Sequence, residues 1–393
     1  MLTGFLATCL EVWAGVALFF SGLLVLGVLR LPRKAPPEPT VWPNIAILRP
    51  CEGQEPALFE NLCSSFSGRY PGERRVLLLC PNASDPAYET LQRVKQAAPK
   101  DIAIDIVLTR PEERQNRKVA QLEAGLAHVH EEIVVTADSD VHLSGEDLTR
   151  LVATLCAKRT EQDKAPRIGA VFAAPVEQTP VTPWDRLSCA VVGASTQNFM
   201  ALYGLYQWIG GVPSMSGALV AFSKQALEDI GGLAQVRAIL GEDYELARQL
   251  CAAGYSVELG PLPARCSDGN RSLGGVVSRV ARWIQVVRAQ RPLLLPCYPL
   301  FIAATPPLLV GLAIFRTPLL AILCAGVFSL RTLLAWLLRH RQQVRQGFVT
   351  SALEVLLAET LLMSGFVSAL LTRKITWRGY RFRIQRGGTM VPS

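Results

Sequence analysis

Between residues 40 and 290, short apolar runs of strand type take turns with stretches of helical period. In order, NIAILRP, RRVLLLCPN, IAIDIVL and EIVVTAD read as strands, and ALFENLCSSF, DPAYETLQRVKQAA and RKVAQLEAGLAHV between them read as helices. Strands separated by helical periods of about ten residues predict βαβ units, and so an α/β domain with a mostly parallel sheet and helices on both faces. Ligands of such sheets bind beyond the carboxyl ends of the strands. Three of those ends are polar here: Asp85, Arg114–Lys118, and Asp138 with Asp140. Further on, GAVFAAPV predicts a strand, Trp184–Tyr206 a partly amphipathic helix suited to a membrane surface, and SGALVAFSKQALEDIGG a strand running into a glycine-closed helix. GEDYELARQLCAAG predicts a short helix with an acidic first turn, and SLGGVVSRVARWIQVVRAQRP a helix entering the membrane region.

Outside this region the alternation gives way to long apolar blocks, at Phe5–Leu29, Leu293–Phe315, Leu319–Leu338 and Phe348–Leu371. Each is long enough to span a bilayer. The chain divides accordingly into an N-terminal transmembrane anchor (1–34), a water-soluble domain (35–291), C-terminal membrane helices (292–372) and a basic tail (373–393). Glu11 is the only charge in the first block, and no small-residue cleavage site follows it, so a retained anchor is expected. Arg30, Arg33 and Lys34, then Arg339, Arg341 and Arg345, then the tail from Arg373 to Arg386 all favour the cytoplasmic face by the positive-inside rule. A full crossing by the last block would put the tail outside. Glu354 and Glu359 lie within that block, and charge is costly there, so a re-entrant or interfacial segment is expected.

The net charge of +8 over 393 residues clusters beside the apolar blocks and not along one soluble face, which argues against nucleic acid as a partner. Ten cysteines include no C-x-x-C pair, and none is spaced for zinc with the four histidines. Reduced, mostly buried thiols follow.

Candidate chemistry sits at three places. Asp138-Ser139-Asp140 places two carboxylates two residues apart, where an extended turn points both the same way. Such a pair is either a solvated turn ahead of a helix capped by Ser144 and Asp147, or the holder of a hard divalent cation, magnesium or manganese, shared with substrate phosphates. Glu242 and Asp243 open a helix, where the dipole stabilises carboxylates and Asp243 is positioned to accept a proton. Arg279 and Arg282, on one helical face beside Trp283, suit either a diphosphate or the membrane interface. Lys118 and Asp85 have plain readings as exposed helix-start residues.

Asp85, ADSD, GEDYELA and RVARW, in that order, resemble the D, D-x-D, (E)D and (Q/R)-x-x-R-W signature of membrane-bound glycosyltransferases with the GT-A fold, a Rossmann-like catalytic architecture. ILRPCEGQEPALFENLCSSFSGRYPG, NRKVAQL, MSGALVAFSKQALEDIGGL and the tail WRGYRFRI make the chain similar to the ceramide glucosyltransferase group and to hopanoid-associated glycosyltransferases. The resemblance covers nearly the whole chain. It implies inverting transfer of a hexose from a UDP-sugar, UDP-glucose favoured, to the hydroxyl of a membrane lipid such as ceramide or a hopanoid. It also implies Asp243 as general base, Asp85, Lys118 and Asp138 as donor contacts, Asp138 and Asp140 as metal ligands, and Arg279, Arg282 and Trp283 around the diphosphate and acceptor. The chain departs from the family pattern at Ser84 before Asp85, where a second acid is common, at His142, where arginine is usual, and at Arg117, where proline is usual. Two other readings stay open: a processive polysaccharide synthase, which usually carries glutamine where Arg279 stands, and a non-catalytic nucleotide-sugar-binding scaffold.

Overall fold

The computed structural model describes residues 1–31, 36–112, 116–157, 166–178, 180–209, 215–267, 269, 272–342, 344, 346–377 and 379–392. Arg33, Lys34, Arg114 and Arg345 lie outside the described residues. After helix α1 (Leu2–Arg30), the chain lays down β1 (Ile45–Pro50), α2 (Leu58–Ser64), β2 (Arg74–Cys80), α3 (Ala87–Ala97), β3 (Ala103–Leu108), α4 (Arg117–Leu126) and β4 (Ile133–Ala137). These four strands are parallel, in the order β3-β2-β1-β4. Alternate residues face opposite ways. Leu48, Leu77 and Leu79 enter one core and Ile47, Val76 and Leu78 the other, so the apolar runs are buried on both faces as a parallel sheet requires.

The second half continues as β5 (Val141–His142), α5 (Gly145–Leu155), β6 (Ile168–Gln178), α6 (Pro183–Ile209), β7 (Leu219–Ser223), α7 (Lys224–Asp229), α8 (Glu242–Ala252) and β8 (Ser256–Ser267). It extends the sheet to eight strands, β3-β2-β1-β4-β7-β6-β8-β5, with β7 antiparallel to both its neighbours. Ser144 caps α5, and its side chain and that of Asp147 each bond the other's main-chain N–H, a reciprocal capping box.

The chain then forms α9 (Leu273–Gln290), α10 (Tyr298–Ile302), α11 (Thr305–Phe315), α12 (Pro318–Arg341) and α13 (Phe348–Leu371), followed by β9 (Lys374–Trp377), β10 (Tyr380–Ile384) and β11 (Met390–Pro392). Helices α1, α12 and α13 are long and apolar enough to cross a membrane, and the segment Pro292–Ile302 with α11 forms a pair bent by 69°. One core joins the long apolar helices to the sheet: Leu24 and Val28 of α1 and Leu334 and Leu338 of α12 pack in the same cluster as Leu48 and Phe172 of the sheet. Helix α1 crosses α6 at Gly27 and Gly204, where a Cβ on either would run into the other helix's main chain. Small residues allow this close approach. Gly204→Val is therefore expected to prevent recovery of folded protein from detergent extracts, as size-exclusion chromatography would show, whereas Gly4→Val, in open space, should not.

Helix α13 is one unbroken helix of 24 residues, and polar side chains of α9 and α12 meet it along its length. Near its start, Glu354 bonds Arg339, which also donates to the Cys189 carbonyl of α6 at 3.1 Å. Near its end, Gln285 and Arg288 of α9 donate to the Ala369 carbonyl at 3.0 and 2.6 Å. In its middle Glu359 accepts from Thr305 N at 2.8 Å and lies 3.6 Å from Arg331 of α12, so the buried acid sits against a buried base. The tail is not loose chain: β9, β10 and β11 form an antiparallel sheet that packs on Leu240 and on Val286 and Ala289 of α9.

Candidate active site

The turn after β4 is tied down from both sides. Asp138 N donates to the Ala218 carbonyl at 2.9 Å and Ser267 N to the Asp140 carbonyl at 2.7 Å, so the turn hangs between the starts of β7 and the end of β8. Below it lies Arg49, fully buried at the end of β1. Its Nη2 donates to the carbonyls of Val141 (2.7 Å), Asn61 (3.3 Å) and Ser139 (3.5 Å), and Nη1 to Ser65 Oγ (3.2 Å). Burial lowers the guanidinium pKa, while Cys51, Asp140, Asp138 and Glu55 oppose that shift. The Ser139 hydroxyl donates to the Glu55 carboxylate. Desolvation, then the charges of Asp138 and Glu55, push Asp140 up to about 6 against Arg279 and Lys118.

A second group of polar side chains faces this turn. Lys118, in the first turn of α4, lies 2.5 Å from Asp138 Oδ1 and donates to the Gly217 carbonyl at 2.9 Å. Burial alone would lower its pKa, but Asp138, Glu242 and Asp243 overcome burial and hold the ammonium above its ordinary value. Gly217 N in turn donates to Asp243 Oδ2 at 3.1 Å, and Tyr244 N to Oδ1 at 2.8 Å. A main-chain glycine thus links Lys118 to Asp243, with Glu242 held beside them by Asn116 Nδ2 at 3.1 Å. Gly241 takes φ +77 before α8, which turns the helix N-terminus and both acids toward the cleft. Burial first, then the adjacent Glu242 charge, raises Asp243 to about 7, against the two N–H bonds and Lys118.

The remaining predicted residues are more peripheral. Asp85 Oδ1 accepts from Gly53 N at 2.8 Å and Ala87 N at 2.9 Å, so here it braces the loop after β1 against the start of α3. Arg279 pairs with the buried Glu177 and lies 5.2 Å from the Trp283 ring. Arg282 lies 5.6 Å from the ring of Trp377, and Trp283 packs beside the cluster formed by α6, α9 and α13. Reading the sequence missed Arg49, Glu55, Asn116 and Glu177. Arg49 carried a signal: it is a charge inside a strand whose other residues, IAIL, are all apolar.

Asp138 and Asp140 suit a hard cation. Asp140 Oδ1 is buried and has no hydrogen-bond partner among the described residues, which is costly unless a cation coordinates it. Among the described residues no group of three or more His, Cys, Asp or Glu could hold a metal ion.

A family model described as glycosyl transferase family 21 matches residues 9–390. The chain belongs to this family, and it is a glycosyltransferase. Two ceramide glucosyltransferases of Caenorhabditis elegans are similar to this family 21 chain: number 3 is 25% identical, over 90% of this chain and 76% of that protein, and number 1 is 24% identical, over 96% and 78%. A mannosyltransferase from Pyrobaculum calidifontis, solved with GDP-mannose and Mn2+, superimposes with a TM-score of 0.50 at 20% identity, over 94% of this chain and 98% of that one. That likeness confirms the expected glycosyltransferase fold.

Proposed function

We propose that this family 21 glycosyltransferase transfers a hexose, glucose from UDP-glucose in the favoured reading, to the hydroxyl of a membrane lipid such as ceramide or a hopanoid, with inversion at the anomeric carbon. The observation that carries the reading is the chain Asp138, Lys118, Gly217, Asp243, which joins a turn of two carboxylates suited to a cation to a carboxylate of raised proton affinity. The lipid acceptor is supported by the ceramide glucosyltransferase relatives and by a domain whose core is continuous with apolar helices.

Asp243 accepts the proton of the acceptor hydroxyl as its oxygen bonds to the anomeric carbon, and the bond to the donor diphosphate breaks with its electron pair leaving on UDP. Asp243 draws its proton affinity from burial and Glu242, which keeps it basic enough for this step near neutral pH. Arg279 and Arg282 offer charge to the departing diphosphate, with Trp283 beside them, and Lys118 contacts the donor while neutralising Asp138. Asp85 stands on the side of the cleft assigned to the nucleoside and fixes the loop that would flank it. Asp138 and Asp140 would hold a divalent ion, Mg2+ or Mn2+, whose chemistry is to neutralise diphosphate charge.

A cytoplasmic position of the domain is supported by positive charge near the apolar ends: Arg30 closes α1, and Arg341 donates to the Leu31 carbonyl at 3.1 Å.

Full-length protein in vesicles containing ceramide or a hopanoid is expected to add one hexose, of anomeric configuration opposite to the donor's, as NMR of the product would show. Chelation should stop turnover and added Mn2+ or Mg2+ restore it. A polymeric product, a retained anomer or chelator-insensitive turnover would overturn the reading.

A further inference from the structure

The C-terminal strands β9, β10 and β11 meet three of the elements that bear proposed functional residues. In β10, Phe382 and Ile384 point inward and Arg381 and Arg383 outward, so the run RFRI has strand period and one apolar face. That face, with Ile375 and Met390, packs on Leu240 and on Val286 and Ala289 of α9. The final strand also bonds to the segment before Asp243. Met390 N donates to the Ala238 carbonyl at 2.7 Å, Leu240 N to the Gly388 carbonyl at 2.8 Å, and Ile239 pairs antiparallel with Thr389. Gly388 sits at φ +90, and a Cβ there would lie 3.0 Å from the Leu240 carbonyl oxygen. From α9, Gln290 Nε2 donates to the carbonyls of Leu240 and Gly241 at 2.9 and 3.3 Å.

Two aromatic side chains of the same sheet hold arginines. The Trp377 ring lies 5.6 Å from Arg282 Cζ, and the Tyr380 ring 5.2 Å from Arg117 Cζ. Arg117 is also locked to Glu52 at 2.6 Å, and it precedes Lys118. The sheet thus touches α9 at Arg282, α4 one residue from Lys118, and the loop that ends two residues before Asp243.

We propose that the C-terminal sheet is a positioning element of the active site, with Trp377 holding the Arg282 guanidinium in the orientation that receives the donor diphosphate. This rests on the reading of Arg282 as a diphosphate-binding residue. A guanidinium on a flexible stem loses rotamer freedom when it binds, and a ring face that holds it in advance lowers that cost. Trp377 acts through Arg282, so its contribution should vanish when Arg282 is gone.

The test uses full-length protein in detergent or nanodiscs, with UDP-glucose KM, kcat and thermal melting measured for Trp377→Leu, Trp377→Phe, Arg282→Ala and the Trp377→Leu/Arg282→Ala double variant. Leucine keeps apolar bulk without the ring, and phenylalanine keeps a ring face. Trp377→Leu is expected to raise the donor KM about tenfold, the scale of a partly desolvated cation–π contact. Trp377→Phe should restore most of the affinity, and the double variant should be no worse than Arg282→Ala alone. A structural role alone would lower the melting temperature and add its effect to that of Arg282→Ala. Full additivity, equal losses for leucine and phenylalanine, or an unchanged KM in Trp377→Leu would overturn the proposal while leaving Arg282 in place. An unchanged donor KM in Arg282→Ala would overturn the diphosphate assignment itself, and the role of Trp377 with it.

Discussion

Asp243→Asn is expected to lower kcat by about a thousandfold or more, within the range that general-base groups contribute, while donor KM stays within about twofold. Asparagine keeps the size and can still accept one of the Gly217 and Tyr244 N–H bonds through its single carbonyl oxygen, while its NH2 faces the other, so most of the loop geometry should survive. What it loses is the ability to take a proton. The pH profile carries a second signature. A base must be unprotonated to act, and burial with Glu242 puts the Asp243 carboxyl at about 7. Wild-type turnover should therefore rise with pH up to that value and level off above it, whereas residual turnover in the asparagine variant should lack this step. The stability effect runs the other way. The folded state binds this proton more tightly than the unfolded chain, so the stability it contributes at low pH is lost as pH rises through about 7. Thermal melting of ligand-free protein across this range should show a smaller decline in Asp243→Asn.

Arg49→Met should be among the most damaging substitutions outside the cleft. Methionine fills similar volume with no donors, and leaves the buried carbonyls of Val141, Asn61 and Ser139 without the guanidinium that pairs with them. Removing one partner of a buried charged network costs roughly 3–5 kcal/mol, and here the two carboxylates of the turn also lose the cation beneath them. Chemical denaturation should report that loss. Turnover should fall beyond the loss of folded protein, because the turn that carries Asp138 and Asp140 is no longer fixed from below. Arg49→Lys keeps the charge but not the fork, so it should recover stability only in part.

The first four strands were legible because each is a short, wholly apolar run between helices of clear period, and a strand buried on both faces leaves just that trace. Strand β8 was not, since its GPLP stretch reads as a break. In the fold it pairs with β6 across register shifts, which absorb the irregular backbone where the two strands meet. The tail was read as basic chain because its charges dominate, although Arg381, Phe382, Arg383 and Ile384 alternate with strand period. At the site, Asp138, Lys118 and Asp243 were visible as polar residues at strand ends and a helix start, and the fold brings them together. Asp85, Arg279 and Arg282 lie around that group and engage other protein groups. Arg49, Glu55 and Glu177 escaped notice because their importance depends on which turn or arginine they lie against, which local pattern does not encode.

The most direct test of the account is mass spectrometry of lipid extracts from cells expressing the wild-type chain and Asp243→Asn, with ceramide and hopanoid acceptors both supplied. The account predicts a single hexose-sized gain on one of these lipids in wild type and its absence in the variant. The same gain in both, or no lipid modified by wild-type protein that is folded and supplied with metal and donor, would contradict it.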